Sequence, residues 1–199
     1  MVNLETAVAN LIEKMGNRFL GKYRGFVVDN VDPEKLGRLK LKVPSVLGAD
    51  VATGWALPCL PYGGDADQGF LFIPEVGAGV WVEFEEGDLE FPIWVGAFWS
   101  KPGGDSELPK PNKPDGSEEN AVQDPVTRKI MKTKAGHTIQ MEDDDGDAQI
   151  IIVEGKKGHV ILLDKDGVRI TDAASNEIKM DDTGVVCKDT NGNVITMDS

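Results

Sequence analysis

Cysteine and histidine are scarce in this chain, with two of each in 199 residues, and aromatic side chains make up only 7%. No apolar run approaches the ~18 residues of a membrane span. The N-terminus lacks the basic-then-apolar pattern of a secretory signal. Cys59 and Cys187 fall in different expected modules, so an intrachain disulfide is not expected; reduced thiols and synthesis in the cytoplasm fit. Positive charge is also short: 21 Lys and Arg face 34 Asp and Glu, for a net charge of -13. That balance disfavours nucleic acid or an anionic membrane surface as attractive partners. No local Ser–His–Asp arrangement or pair of carboxylates suggests catalysis, so no enzyme and no cofactor are expected.

What the chain does have is a repeat in its last third. Gly136–Glu142, Gly158–Asp164, Ser175–Asp181 and Gly192–Asp198 align without gaps, with isoleucines at 139, 161, 178 and 195. A second element recurs between them at Gly167–Ile170 and Gly184–Cys187, and Ile150–Ile152 holds the matching place in the longer first gap. Within each segment His or Asn, then Ile, then Met or Leu stand at alternate positions, which is a half-buried strand. The strands end at Gly, Asp-Gly or Asn-Gly turns. Such a strand buries two or three apolar groups, too few to offset the ordering entropy of its repeat unless neighbours share a core. The units are also too short and few for a single-chain β-helix. We therefore expect an intertwined, three-chain β-prism over residues 133–199. Its core would be Ile139, Met141, Ile161, Leu163, Val168, Ile170, Ile178, Met180, Val185, Cys187, Ile195 and Met197. About eight strand layers would give a needle roughly 40 Å long.

Ahead of the repeat lie three further stretches. Residues 1–20 hold an amphipathic helix expected over 3–19, with Asn3 as N-cap and Leu4, Val8, Leu11, Ile12, Met15 and Phe19 on one stripe. That stripe either packs on its own domain or docks into a larger assembly. Residues 21–99 read as five or six short strands separated by Gly and Pro, a small closed barrel of OB type. They include Arg38–Val43, Thr53–Pro58 and Gly69–Ile73; Trp55, Trp81, Trp94 and Trp99 are expected as core and interface filler. Residues 100–132, punctuated by five prolines, read as a semi-rigid linker. The fold class is thus all-β with one short N-terminal helix.

The barrel residues carry a resemblance. Asp32-Pro33, Gly37-Arg38, Trp55, Pro74, Gly77, Gly87-Asp88, Pro92 and Gly96, in their local runs, resemble the OB domain of contractile-tail spike proteins. That family comprises the phage baseplate assembly protein V and the equivalent part of type VI secretion VgrG proteins. Thr133–Ile139 resembles the entry to their β-helical needle. The resemblance implies a homotrimeric central spike in a virion tail baseplate or an injection particle, piercing the target envelope when a sheath contracts. Only some 20 residues precede the barrel, which implies docking on a separate hub protein. The C-terminal segment has no His-x-His iron motif, which implies a separate tip protein of the PAAR class. The other functional class is a ligand-binding OB barrel for oligosaccharide or single-stranded nucleic acid, with the repeat as stalk; Arg38, Lys40 and Lys42 on one strand face would serve it.

Two further features invite metal readings. His137 and His159 occupy equivalent repeat positions, so a three-fold assembly would form a ring of each; Asn at the same place in the other repeats favours a hydrogen-bonded turn residue. Glu142–Asp147 is acidic, but aligning Gly146 with the EF-hand glycine puts Met141 and Ile152 at ligand positions. A solvated turn is expected there, and no metal.

Overall fold

In a computed structural model the chain divides into two compact units, Met1–Gly103 and Gly104–Ser199. Residues 3–16 and 18–198 are described. Met1, Val2, Asn17 and Ser199, which the expected helix segment and needle include, lie outside the described residues, as do the side chains of Asn10, Leu11, Glu13, Lys14 and Met15.

Helix α1 spans Leu4–Gly16, shorter than the expected 3–19. Asn3 caps it, its Oδ1 accepting the Glu5 N–H at 3.2 Å. Phe19 leaves the stripe and joins the barrel, its ring edge-on to Phe84 with centroids 6.1 Å apart.

The first unit's strands are β1 (Tyr23–Asp29), β2 (Lys40–Lys42), β3 (Leu57–Pro58), β4 (Gly79–Phe84) and β5 (Pro92–Ala97), with a short helix α2 (Pro44–Leu47) after β2. They run in the order β2-β1-β4-β5-β3. Closure comes from Leu39 and Ala56, which exchange backbone hydrogen bonds of 3.1 and 2.8 Å. Alternation explains the core: Leu39, Leu41 and Val43 point inward and are fully buried with Val27, Val80, Val82 and Trp94, while Lys40 and Lys42 point outward. One expectation changes. Residues 69–73 form no strand: 69–72 lie at the end of a wholly exposed loop, 61–72, and Ile73 packs half-buried against the barrel core. Trp94 alone of the four tryptophans is buried; Trp99 is exposed.

The second unit is one eight-stranded meander: β6 (Lys129–Lys132), β7 (Thr138–Glu142), β8 (Gln149–Glu154), β9 (His159–Asp164), β10 (Gly167–Thr171), β11 (Glu177–Asp181), β12 (Gly184–Lys188) and β13 (Val194–Asp198). Each strand pairs antiparallel with the next, so these ladders are completed within one chain.

The stretch expected as a linker divides at 103/104. Beyond that point it lies as a strap across one face of β6–β9. Gln140 is fully buried beneath it; its Oε1 accepts the Asn112 N–H at 2.8 Å and its amide donates to Asn112 O at 3.0 Å. Lys132 donates to Lys110 O at 2.8 Å and pairs with Glu118. Pro, Gly and Ser suit this path because an extended strap needs few backbone ladder bonds of its own.

Gly116 lies flat on the sheet with φ of 84°, and a Cβ there would sit 2.5 Å from Val160 Cγ2. Gly116→Ala should therefore lift the strap and cost about 1–3 kcal/mol. Faster hydrogen exchange at the Asn112 and Glu119 amides, with a lower urea midpoint, would show it; unchanged exchange would contradict the packing.

Candidate assembly surface

Because side chains alternate along a strand and the meander keeps register, the second unit sorts its residues onto two faces. On one face two rows run across the sheet. The first is Met131, Ile139, Ile152, Ile161, Ile170, Ile178, Cys187 and Ile195. The second is Met141, Ile150, Leu163, Val168, Met180, Val185 and Met197. All twelve residues singled out in the repeat stand in these rows. Ile150 and Ile152, which hold the matching place in the longer first gap but are not among the twelve, join them, as does Met131 on β6, which precedes the repeat.

Nothing in the described chain covers these rows. Ile139, Ile152, Ile170 and Ile178 are each about 40% exposed, although every one lies inside a paired strand. At β13, the outermost strand of this sheet, exposure rises to 67% for Ile195 and 58% for Met197. Two residues of one face are about 7 Å apart along a strand, and eight strands span roughly 34 Å between the first and last axes. The surface is a narrow apolar stripe across the strands, of the continuous kind that marks an interaction site.

The opposite face is finished differently. Over β6–β9 the strap buries Ile151, Val153, Val160 and Leu162. At one end Glu142, 2% exposed, receives Arg128 Nε at 2.7 Å and Gln123 Nε2 at 3.0 Å; Arg128 also pairs with Glu119. Glu142 thus departs from the solvated acidic turn expected of 142–147. Burial pushes its carboxyl up, but hydrogen bonds from Thr127, Arg128 and Gln123 outweigh burial and bring it down to about 2. Over β10–β13 this face is polar, with Arg169 facing Glu177 at 3.4 Å and Lys179 facing Asp181 at 2.8 Å.

The His and Asn positions of the repeat form a chain of turn-to-turn bonds along one edge. His137 Nδ1 accepts the Gly155 N–H at 3.2 Å, and His159 Nδ1 the Ala173 N–H at 3.1 Å. Asn176 Oδ1 accepts the Thr190 N–H at 3.1 Å. Asp172 and Asp189 each brace the following turn through Asn176 and Asn193, which holds their carboxyls below the ordinary range. No group of three or more His, Cys, Asp or Glu that could hold a metal occurs among the described residues.

In the barrel the signature residues shape turns. Asp32, nearly buried, accepts the N–H groups of Glu34, Leu36 and Arg38 and the Arg38 guanidinium at 2.7 Å. The Arg38 hydrogen bonds hold its carboxyl far below the ordinary range. Pro33 lies exposed in the same turn. Gly37 has φ of 73° and its carbonyl accepts Trp94 Nε1–H at 3.2 Å. Arg38 and Lys40 both lie over Trp55, 5.7 and 4.9 Å from its centroid. The Pro74 carbonyl accepts from Asn30, and the Gly77 N–H donates to Val27 O. Gly87 lets the chain at Phe19 cross closely, the Phe19 N–H donating to its carbonyl at 2.9 Å. Asp88 caps the next turn through the Glu90 N–H; Pro92 starts β5, and Gly96 lies where the β4–β5 register shifts.

Comparison with known families matches residues 23–99 to the type VI secretion system/phage-baseplate injector OB domain. Residues 129–186 match the phage baseplate V C-terminal trimerisation domain. The first match runs from β1 to just past β5; the second begins at β6 and ends inside β12, so β13 prolongs the same register beyond it. No curated protein matches the chain.

Glu142 supplies a pH signature. A carboxyl at about 2 in the fold against 4.5 for the free group stabilises above pH ~4.5, and that contribution is lost as pH falls towards ~2. Glu142→Gln should flatten this part of the acid profile relative to the unaltered chain, read as urea midpoints against pH. Parallel profiles would contradict the assignment.

Proposed function

We propose, from the premise that this chain belongs to the phage baseplate V family, that three copies build the central spike of a contractile tail or injection machine. A structural component of a baseplate is what the family supplies, and a matched trimerisation domain supports a homotrimer. The observation that carries the finer reading is the pair of uncovered apolar rows. A stripe two residues wide, covered face to face by a single second sheet, would stay open to water along both long sides. Three walls meeting as a triangular prism seal the flanks as well as the face. Since each chain pairs its own strands, each copy contributes one wall, with rows of Ile, Met, Leu and Val meeting on the axis.

In this reading the needle is dry inside, hydrogen-bonded within each wall, and stiff along its axis. It transmits the push of a contracting sheath to the target envelope. The hub protein docks at the barrel end. At the other end β13 offers exposed Val194, Ile195 and Met197 with an unpaired backbone edge, and a tip protein of the PAAR class covers it; left bare, such an edge invites aggregation. The competing ligand-binding barrel fares worse. Trp55, the aromatic nearest Arg38 and Lys40, is already stacked by them, and Arg38 is neutralised by Asp32.

Ile178→Asp tests the axis. As a surface change on a lone sheet it would be nearly neutral; on a three-fold axis it brings three carboxylates into a dry core. Light scattering should give three 21.5 kDa chains for the unaltered protein and for the outward control Lys188→Gln, and loss of the trimer for Ile178→Asp. A trimeric Ile178→Asp protein would overturn the packing.

A further inference from the structure

The N-terminal helix presents an apolar stripe that nothing among the described residues covers. Leu4, Val8 and Ile12 are 77, 46 and 66% exposed. With Leu11 and Met15, which the helical backbone places in register, the sequence gives Leu4, Val8, Leu11 and Met15 at spacings of 4, 3 and 4. Those are alternating d and a positions of a heptad. Ala7 and Ile12 fall on the flanking g and e positions. A two-stranded seam uses a and d alone; a stripe widened by apolar e and g residues suits a bundle of more than two helices. Solitary helices below ~12–15 residues are marginal in water, so the 13 residues of α1 call for a cover.

The barrel fixes where that cover comes from. Phe19, three positions after the helix ends, is held by the rings of Tyr23 and Phe84 and by the Gly87 carbonyl. In a trimer three helices therefore leave three equivalent barrels by short connections, all anchored at their C-terminal ends. Short tethers give about millimolar effective concentrations, and a common anchor end makes the helices parallel. We propose that the three α1 helices of one spike pack against each other as a parallel three-helix bundle, a second assembly element beside the needle. This rests on the trimer reading above.

The test uses the full chain in a Cys59→Ser background, which alone serves as the blank for Cys187. Val8→Cys places a thiol on the seam; Thr6→Cys places one on the opposite side of the helix. Oxidation of the trimer should give a disulfide-linked pair from Val8→Cys, roughly ten-fold more than from Thr6→Cys at the same effective concentration. In the unaltered trimer, α1 amides should exchange at least ~10-fold more slowly than in a peptide of the same sequence. A protein of trimer mass with equal cross-linking at both positions, or with peptide-like exchange, overturns the bundle and leaves the stripe to a different protein. A monomeric mass overturns the trimer reading together with the bundle.

Discussion

A β-sheet can satisfy its backbone alone but cannot hide two faces alone, and that constraint governs the second half of this chain. Its neighbouring strands all pair within the chain, yet two rows of Ile, Met, Leu and Val remain in water. Full burial of one such side chain is worth about 1.5–3 kcal/mol. Completing the burial of a dozen half-covered ones is therefore worth on the order of 10 kcal/mol per chain, comparable with the whole stability of an ordinary domain. Folding and assembly are on this account one event for the needle: the wall exists to be closed by its copies.

The two faces of the sheet follow different rules because they meet different neighbours. The face with the rows is nearly free of charge, as the proposed axis shared by three chains would require. The other is insulated locally, by the strap over β6–β9 and by ion pairs and polar groups over β10–β13. The turns add a third layer of support. Asp172 with Asn176 and Asp189 with Asn193 close neighbouring loops identically, and His137 and His159 accept the backbone N–H of the next turn. Bracing the corners this way resists shear between strands. The barrel uses the same economy, with one carboxylate, Asp32, organising a whole turn and clamping Arg38.

How much of this could be read from residues alone depended on the range of the interaction. The rows were legible because strand alternation and Asn-Gly or Asp-Gly turns act over a few residues, and the 17-residue period repeats both. Ile150 and Ile152 were harder, since their place in the rows depends on register across a longer, acidic turn. The strap was misleading: Pro109, Pro111 and Pro114 read as a semi-rigid linker, and only Asn112 meeting Gln140, 28 residues away, turns it into a cover. Loop 61–72 carries Phe70, Leu71 and Phe72 at the density of a strand, yet the Phe70 N–H turns back on the loop itself, donating to Tyr62 O. Glu142 looked solvated among aspartates because Arg128 and Gln123, which bury it, come from the strap's far end.

Thiol reactivity at Cys187 tests the central claim most directly. Cys59 is exposed and Cys187 is partly so in the single chain, where Cys187 stands in the first row between Ile178 and Ile195. If three walls close on an axis, native protein labels at Cys59 alone, and Cys187 reacts only after denaturation. Labelling of both thiols at similar rates in the native protein would mean that the rows face water and that the closed needle does not form.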